Sequence, residues 1–192
     1  MPSQKLLIVG AGGHGRSVAE AAQLSAHFEV VGFVDDGAVV GSNILGVPVL
    51  GTTENLDSYR DYAHHAIVAI GNNALRESLM RKLRLAGFEW ANVIHPRSTV
   101  SPSASIGEGS AVMAGAVIGT EATIGVGAIV NCGAVVDHHA HVHDYGHLGV
   151  NACMAGGAVL GRSAWMQAGS SLGYGVVVEP CVVLMPGTAL PV

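Results

Sequence analysis

Five histidines lie close together in the stretch DHHAHVHDYGH, and their side chains are the ones best suited to chemistry. They are His138, His139, His141, His143 and His147, half of the ten histidines in the chain. Imidazole changes its charge near neutral pH, so it serves as a general base or as a metal ligand. A positioned base accelerates proton transfer about 10²–10⁴-fold. The cluster is therefore compatible with an acyl-transfer base, with a zinc centre, or with a solvated polar loop.

The elements that position these histidines follow from a six-residue repeat. The repeat places an aliphatic residue at sixteen successive steps of six: Val100, Ile106, Val112, Ile118, Ile124, Val130, Val136, Val142, Leu148, Met154, Leu160, Met166, Leu172, Val178, Leu184 and Leu190. Four positions after most of them comes a small residue. A helix would repeat at 3.6 residues and a strand at two. The pattern predicts a parallel β-helix of hexapeptide repeats over residues 98–192, in its left-handed form, with three hexads in each turn.

The predicted turn length places residues that are three hexads apart side by side on neighbouring coils. His138 occupies the third, outward-facing position of its hexad, and Gly156 has the same position three hexads later. We therefore expect these two residues to be stacked neighbours. His147 follows His138 by a hexad and a half, half a turn around the prism. In a trimer, residues on different faces can meet across a cleft between subunits. A glycine N–H at such a cleft would stabilise an oxyanion.

The first half of the chain has a different composition and predicts a different fold. Residues 1–97 carry 17 of the 23 charged side chains, whereas the second half is nearly uncharged. Strands are predicted at residues 5–9, 29–34, 66–70 and 90–94, with helices from about 12 to 24 and from 74 to 86. Strands that alternate with helices indicate a parallel sheet with a ligand crevice at its carboxyl edge. We predict a small Rossmann-like domain over residues 1–97.

A glycine-rich turn follows the first predicted strand. Gly10, Gly12 and Gly15 fit the GxGxxG pattern, and Asp35 follows at the end of the second predicted strand. Such a turn brings a diphosphate to a helix N-terminus, and an acid placed about 20 residues further on binds a ribose hydroxyl. His14 would donate to a phosphate oxygen or cap the helix. Because the domain has no room for a second nucleotide-binding half, we expect a nucleotide sugar rather than an NAD-like cofactor; a purely structural turn is the remaining alternative.

The overall composition excludes several classes of protein. The net charge is −5 without a basic cluster, which argues against nucleic-acid binding. No apolar run approaches the ~20 residues that span a bilayer, so no membrane insertion is expected. The three cysteines are far apart and form no CxxC pair, which suits a reducing compartment. The N-terminus lacks the pattern of a signal peptide, and a cytoplasmic location is expected.

The order of motifs along the chain resembles one bacterial family. GAGGHG, FVDD, VPVLG, AIGNN and NVIHP precede the hexapeptide repeat, which contains NCGAVVDHH and HLGVNACMAGG. Together they resemble the sialic-acid O-acetyltransferases and the nucleotide-linked amino-sugar N-acetyltransferases of the bacillosamine and perosamine type. The resemblance implies a homotrimer that transfers an acetyl group from acetyl-CoA, a co-substrate, to the amine or hydroxyl of a nucleotide-activated sugar for surface-glycan synthesis. It implies no bound cofactor and no metal.

The resemblance also implies roles for individual residues. His138 matches the general base, and Asn131 lies near it in the cleft. The acetyl-CoA contacts correspond to His147, Gly156, Ala168 and Val177. The nucleotide-sugar contacts correspond to Gly12, Gly13, His14, Asp35, Asp36 and Gly71.

One position departs from the family pattern. Relatives have a carboxylate directly after the catalytic histidine, and this chain has His139 instead. We therefore expect that Asp137 or Asp144 orients His138, or that His138 is a weaker base. The departure keeps a sugar-nucleotide-binding scaffold without catalysis open as an alternative, beside sialic-acid O-acetylation. An interfacial zinc hydratase fits less well, because no histidine lies between Pro96 and Asp137 to complete its ligand set.

Overall fold

The computed structural model describes residues 3–191, and its first part is a six-stranded sheet flanked by helices. Its elements are β1 (Gln4–Val9), α1 (Gly13–Ser25), β2 (Phe28–Val34), β3 (Asn43–Ile44), β4 (Val47–Gly51), a 3₁₀ helix (Thr53–Tyr59), β5 (His65–Val68), α2 (Asn73–Leu85) and β6 (Glu89–Trp90). The strand order is β3-β4-β2-β1-β5-β6. All pairs are parallel except β3 with β4. This sheet has the Rossmann-like arrangement predicted.

Helix α2 illustrates how the local sequence builds these elements. The Asn72 side chain caps its first turn by accepting a hydrogen bond from the Leu75 N–H at 3.0 Å. Such a cap satisfies one of the amide groups left free at a helix start. Leu79, Met80 and Leu83 then recur at helical spacing and are buried against the sheet. A fourth buried residue on this face is Arg76, and arginine is almost never fully buried unless it is paired.

The second part is a β-helix of two-residue strands on three faces. Face 1 contains β7 (Val93–Ile94), β10 (Ala111–Val112), β13 (Ile129–Val130), β16 (His147–Leu148), β19 (Trp165–Met166) and β22 (Val183–Leu184). Face 2 contains β8 (Thr99–Val100), β11 (Val117–Ile118), β14 (Val135–Val136), β17 (Cys153–Met154), β20 (Ser171–Leu172) and β23 (Ala189–Leu190). Face 3 contains β9 (Ser105–Ile106), β12 (Thr123–Ile124), β15 (His141–Val142), β18 (Val159–Leu160) and β21 (Val177–Val178). Each strand pairs in parallel with the strand three hexads away, as at Val136 and Met154.

The aliphatic position of every hexad points into the prism, and the small position lines its corners. Val130, Val136 and Leu148 are fully buried in this core, as are the corner residues Ala134 and Ala152. The hexapeptide β-helix is therefore confirmed. A larger residue in a corner would have no volume to occupy, because protein interiors are packed without spare space.

The first half of the chain covers the first four strands of face 1, whereas Val183 on its last strand is 48% exposed. The outward residues Val93 and Ala111 belong to the core cluster that includes Val18 of α1 and Leu6 of β1. Faces 2 and 3 instead present uncharged outward residues. These are Thr99, Val117, Val135, Cys153, Ser171 and Ala189 on face 2, and Ser105, Thr123, His141, Val159 and Val177 on face 3.

The region between the two parts differs from the prediction. The single strand predicted at residues 90–94 is two strands, since β6 closes the first sheet and β7 opens face 1. The β-helix thus begins at Val93, ahead of the predicted start of the second domain at residue 98. The predicted ranges 1–97 and 98–192 also include termini outside the described residues, and the boundary stays a prediction. No helix among residues 3–191 is long and apolar enough to cross a bilayer.

Candidate active site

His138 lies at the corner between faces 2 and 3, which we call the site corner. It comprises residues 119–122, 137–140 and 155–158 on three successive coils. Asp137 follows β14, and its Oδ1 accepts a hydrogen bond from the His138 N–H at 2.7 Å. Its Oδ2 lies 3.8 Å from His138 Nε2. A carboxylate at this position favours a proton on Nε2 once the ring has taken one up.

Gly156 lies directly beside the His138 ring, as the period of three hexads predicts. A Cβ atom at position 156 would overlap the ring and approach its Nε2 to 2.5 Å. The Gly157 N–H donates to the His138 carbonyl at 3.0 Å and holds the two coils in register. Because position 156 has no side chain, the ring of Tyr174 on the next coil lies 6.3 Å from the His138 ring. The glycine therefore lets the His138 ring pack directly against the backbone of the next coil.

His139 connects His138 to a carboxylate that the sequence analysis missed. The Nδ1 atoms of His138 and His139 are 3.0 Å apart. His139 Nε2 lies 3.0 Å from Oε2 of Glu121, at the same position of the preceding coil. The signal was present in the period that stacks His138 on Gly156, because the same step stacks His139 on Glu121.

Asp144, one of the two expected helpers, has other partners. Its Oδ1 accepts from the Val126 N–H at 2.9 Å, and its Oδ2 accepts from Arg162 at 3.0 Å. It lies on a different corner, between faces 3 and 1. The expectation that Asp144 orients His138 is therefore wrong, because its oxygens are held on that corner. Asp137 is close to His138, but on the Nε2 side of the ring.

His147 is buried beneath the first half of the chain. Its Nδ1 lies 3.3 Å from the Gly71 carbonyl, and its ring stacks on Trp165 with centroids 5.2 Å apart. Burial, followed by the charge of Arg76, lowers the pKa of His147 to about 3. The ring is therefore neutral near pH 7. It lies on face 1, away from the site corner, and its predicted contact with acetyl-CoA stays a prediction.

His14 belongs to the same buried group. Its Nε2 is enclosed and has no protein hydrogen-bond partner. Burial, with a further contribution from Arg76, lowers the pKa of His14 to about 4. The structure thus brings together His14, Gly71 and His147, three predicted site residues that are far apart in the chain. A neutral imidazole can still donate or accept one hydrogen bond here.

Arg76 holds this group in place and was not anticipated. Its guanidinium donates to the carbonyls of Gly127 and Tyr145 at 2.7 Å each, and to the Ile70 carbonyl at 2.9 Å. A fourth bond goes to Oδ1 of Asn73 at 2.8 Å. Burial lowers the pKa of Arg76 to about 10, so it remains cationic. It fastens the Ile70–Asn73 turn to the β-helix.

The glycine-rich turn has both structural and accessible parts. A Cβ atom at position 15 would overlap the Gly10 carbonyl, so Gly15 is required for α1 to approach β1. Gly12 and Gly13 are exposed, and a side chain there would meet open space. Gly12 caps α1 without a side-chain hydrogen bond. The backbone N–H groups of this helix start are therefore open to an anion.

The two predicted ribose acids are engaged with the protein itself. Asp35 accepts from the N–H groups of Ala11 at 2.7 Å and Gly37 at 2.8 Å. Asp36 accepts from both the N–H and the hydroxyl of Thr53, and these bonds lower its pKa. Both acids therefore shape the crevice. Each carboxylate oxygen retains a lone pair, and their predicted substrate contacts stay predictions.

The remaining predicted residues are dispersed within one chain. Asn131 lies on the corner between faces 1 and 2, where its Oδ1 accepts from the Cys132 N–H at 2.8 Å. Ala168 and Val177 are exposed on later coils. None of the described residues forms a group of three histidine, cysteine or acidic side chains placed to hold a metal ion.

Comparisons with known proteins agree with this architecture. The family model of the PglD N-terminal domain matches residues 5–83. Perosamine N-acetyltransferase from Caulobacter crescentus, solved as a histidine-to-asparagine mutant in complex with CoA and GDP-perosamine, is 37% identical. That match covers 96% of this chain and 90% of the other, with a TM-score of 0.86. The chain belongs to the bacillosamine and perosamine acetyltransferase family. It is thus an acyltransferase by fold and by family.

Two further structures extend the comparison. The acetyltransferase domain of PglB from Neisseria gonorrhoeae, in complex with acetyl coenzyme A, is 35% identical to this acyltransferase. That match covers 98% of this chain and 93% of the PglB domain, with a TM-score of 0.81. WeeI from Acinetobacter baumannii is 22% identical over 98% of this chain and 89% of that one, with a TM-score of 0.51, and shares the fold. A search of curated proteins gave no match.

Proposed function

We propose that this acyltransferase transfers the acetyl group of acetyl-CoA to the amine of a nucleotide-activated amino sugar. The observation that carries the proposal is its full-length similarity to an enzyme solved with CoA and GDP-perosamine. The site corner adds the chemistry, since it presents a partly exposed imidazole. We place the reaction in the cytoplasm and in the synthesis of bacterial surface glycans.

In this proposal His138 is the general base. Its Nε2 accepts a proton from the sugar amine as the amine nitrogen bonds to the thioester carbonyl carbon. The carbon–sulfur bond then breaks, and the proton passes to the departing CoA thiolate. Asp137 stabilises the transient imidazolium, because its Oδ2 lies 3.8 Å from Nε2. Gly156 lets the His138 ring lie against the next coil, with the acetyl group proposed to bind at the exposed edge of the ring.

The nucleotide is proposed to bind at the carboxyl edge of the first sheet. The exposed Gly12 and Gly13 offer backbone N–H groups at the start of α1, where the helix dipole favours phosphate. Asp35 and Asp36 fix the neighbouring loop. His14 and Gly71 line the same edge, and the buried Nε2 of His14 has no hydrogen-bond partner within the protein.

A homotrimer explains why the site residues are dispersed. Most of face 1 is covered within the chain, whereas faces 2 and 3 meet at the site corner and present uncharged outward residues. Packing of one prism against the next would bury these faces and build a cleft along the corner. Asn131, Ala168 and Val177 of neighbouring subunits are proposed to complete that cleft. Light scattering after gel filtration tests this: the expected mass is three times 19.5 kDa.

The decisive experiment measures thiol release from acetyl-CoA with a panel of acceptors. The panel contains UDP- and GDP-linked 4-amino sugars together with free and CMP-linked sialic acid. We expect release with one amino sugar by the wild type and a loss of at least about 10²-fold in His138→Ala, with the fold retained. Release with a sialic acid would indicate O-acetylation instead. No release, but binding of a sugar nucleotide in calorimetry, would favour the scaffold alternative.

A further inference from the structure

Ser103, Glu121 and His139 form a column on three successive coils, of which the last two belong to the site corner. Ser103, Glu121 and His139 follow one another at steps of three hexads, and the Ser103 hydroxyl oxygen accepts from the Glu121 N–H at 3.1 Å. The His139 N–H donates to the Thr120 carbonyl at 2.9 Å. Glu121 and His139 share the same corner geometry, with φ of 57° and 58°. Their side chains therefore leave the backbone in the same direction and meet at 3.0 Å.

Only one placement of the ring hydrogens satisfies the contacts of this column when both imidazole rings are neutral. An ionised carboxylate only accepts, so Nε2 of His139 must carry the hydrogen that faces Glu121. Nδ1 of the same neutral ring then carries a lone pair. The 3.0 Å contact between the two Nδ1 atoms requires His138 to donate there. Nε2 of His138 is consequently left with a lone pair, beside Gly156.

The opposite placement of the hydrogens would prevent His138 from acting as a base at Nε2. If His139 carried its hydrogen on Nδ1, His138 would have to accept at its own Nδ1 and hold its hydrogen on Nε2. A neutral imidazole protonated at Nε2 cannot take a proton there. Asp137 forms no hydrogen bond with the His138 ring that would fix either state, because its Oδ1 accepts from the His138 backbone N–H and its Oδ2 lies 3.8 Å from Nε2, beyond hydrogen-bond distance.

Stability does not explain the column. The side chains of Glu121 and His139 are 61% and 60% exposed, and exposed ion pairs contribute little to folding. Replacing Glu121 should therefore leave the fold intact and change only what the column does to His138.

We infer that Glu121 is a positioning residue for acetyl transfer, acting through His139 to hold the hydrogen of His138 on Nδ1 and keep Nε2 free as the base. The inference rests on the proposed function for its kinetic consequence only. The arrangement of the two hydrogens is a property of the protein without substrates. Glu121 thus does through an intervening imidazole what a carboxylate beside His138 would do directly.

The kinetic test compares Glu121→Ala and Glu121→Gln with the wild type. Loss of an orienting partner of a functional histidine typically costs about 10–100-fold in activity, so we expect kcat to fall by that factor while KM for both substrates stays within about twofold. Glutamine should not restore the rate, because its amide can donate to His139 Nε2 and thereby favour the state in which His138 carries its hydrogen on Nε2. Glu89→Gln is the matched control: it removes an exposed carboxylate 3.6 Å from His65, on the first sheet, and should keep full activity.

A rescue variant separates positioning from structure. In His139→Asp the Oδ1 atom replaces Nδ1 at the same distance from the backbone, and aspartate tolerates positive φ. A carboxylate there accepts from His138 Nδ1 without Glu121, so Glu121→Ala/His139→Asp should regain most of the lost kcat. His139→Asn in the same background is the control, since its neutral amide can also donate, and it should remain slow.

A spectroscopic measurement tests the position of the His138 hydrogen without any need for turnover. In ¹⁵N-histidine-labelled protein at pH 8, the shifts of the His138 nitrogens should show hydrogen on Nδ1 in the wild type and a mixture in Glu121→Ala. The inference is overturned if the wild type carries hydrogen on Nε2, or if Glu121→Ala retains wild-type kcat. If no acceptor supports turnover in the wild type, the proposed function fails. The nitrogen shifts then still test whether Glu121 holds the hydrogen of His138 on Nδ1.

Discussion

The buried histidine pair predicts that the protein loses stability in mild acid. His14 and His147 have pKa values of about 4 and about 3 in the folded state, against 6.5 for an ordinary histidine. Below pH 6.5 each ring takes up a proton when the chain unfolds, whereas the folded state excludes it. Because the unfolded state binds more protons, the free energy of unfolding falls as the pH falls. The loss caused by His14 extends from about pH 6.5 to about pH 4, and the loss caused by His147 extends from about pH 6.5 to about pH 3.

The magnitude at pH 5 follows from the same linkage. A histidine that is neutral when folded and has its ordinary pKa when unfolded costs about 2 kcal/mol at pH 5 relative to pH 8. Both together cost about 4 kcal/mol, a large part of the ~5–15 kcal/mol that stabilises a typical domain. The assay is urea unfolding followed by tryptophan fluorescence at pH 5, 6, 7 and 8, with the chain concentration held constant.

Two variants assign the effect to these rings. His147→Phe keeps an aromatic ring against Trp165 and cannot be protonated, so its loss between pH 8 and pH 5 should be about 2 kcal/mol smaller than in the wild type. His27→Gln removes an exposed histidine and should leave the pH dependence unchanged. The reasoning is refuted if His147→Phe and the wild type lose the same free energy over this range.

Three further substitutions test the packing around the site. Arg76→Met leaves the Gly127 carbonyl and other buried acceptors unpaired, so urea unfolding should show a loss of roughly 3 kcal/mol or more. Gly156→Ala displaces the His138 ring, and we expect kcat to fall at least about 10-fold with an unchanged circular dichroism spectrum; a normal rate would show that the ring does not need its observed position. Leu148→Ala empties a fully buried site in the prism and should cost about 2–5 kcal/mol in thermal or urea unfolding.

The β-helix was predictable because its long-range contacts repeat with a fixed step along the chain. Once the six-residue pattern is recognised, every residue has a known neighbour three hexads away, as the stacking of His138 on Gly156 confirms. The same regularity contained the contact between Glu121 and His139. Sequence reasoning missed this contact because it considered only the acids close to His138 along the chain, Asp137 and Asp144.

The first half of the chain was predictable at the level of elements. Strands and helices followed from apolar runs and the glycine-rich turn, and the fold class is confirmed. The strand predicted at residues 90–94 was wrong in one respect, since an apolar run does not reveal that its two ends join different sheets. Asp144 was a reasonable helper for His138 by proximity in sequence, but the coil carries it to another corner and to Arg162.

The sequence by itself determined the two architectures, the outward position of His138 and the family, because each depends on patterns local to the chain or repeated along it. Only the tertiary structure decided how the parts meet. Arg76 is buried because α2 packs against the β-helix, and His14 and His147 are neutral because that contact excludes water from both. Burial and charge depend on which surfaces come together in space, and no spacing within the sequence contains that information.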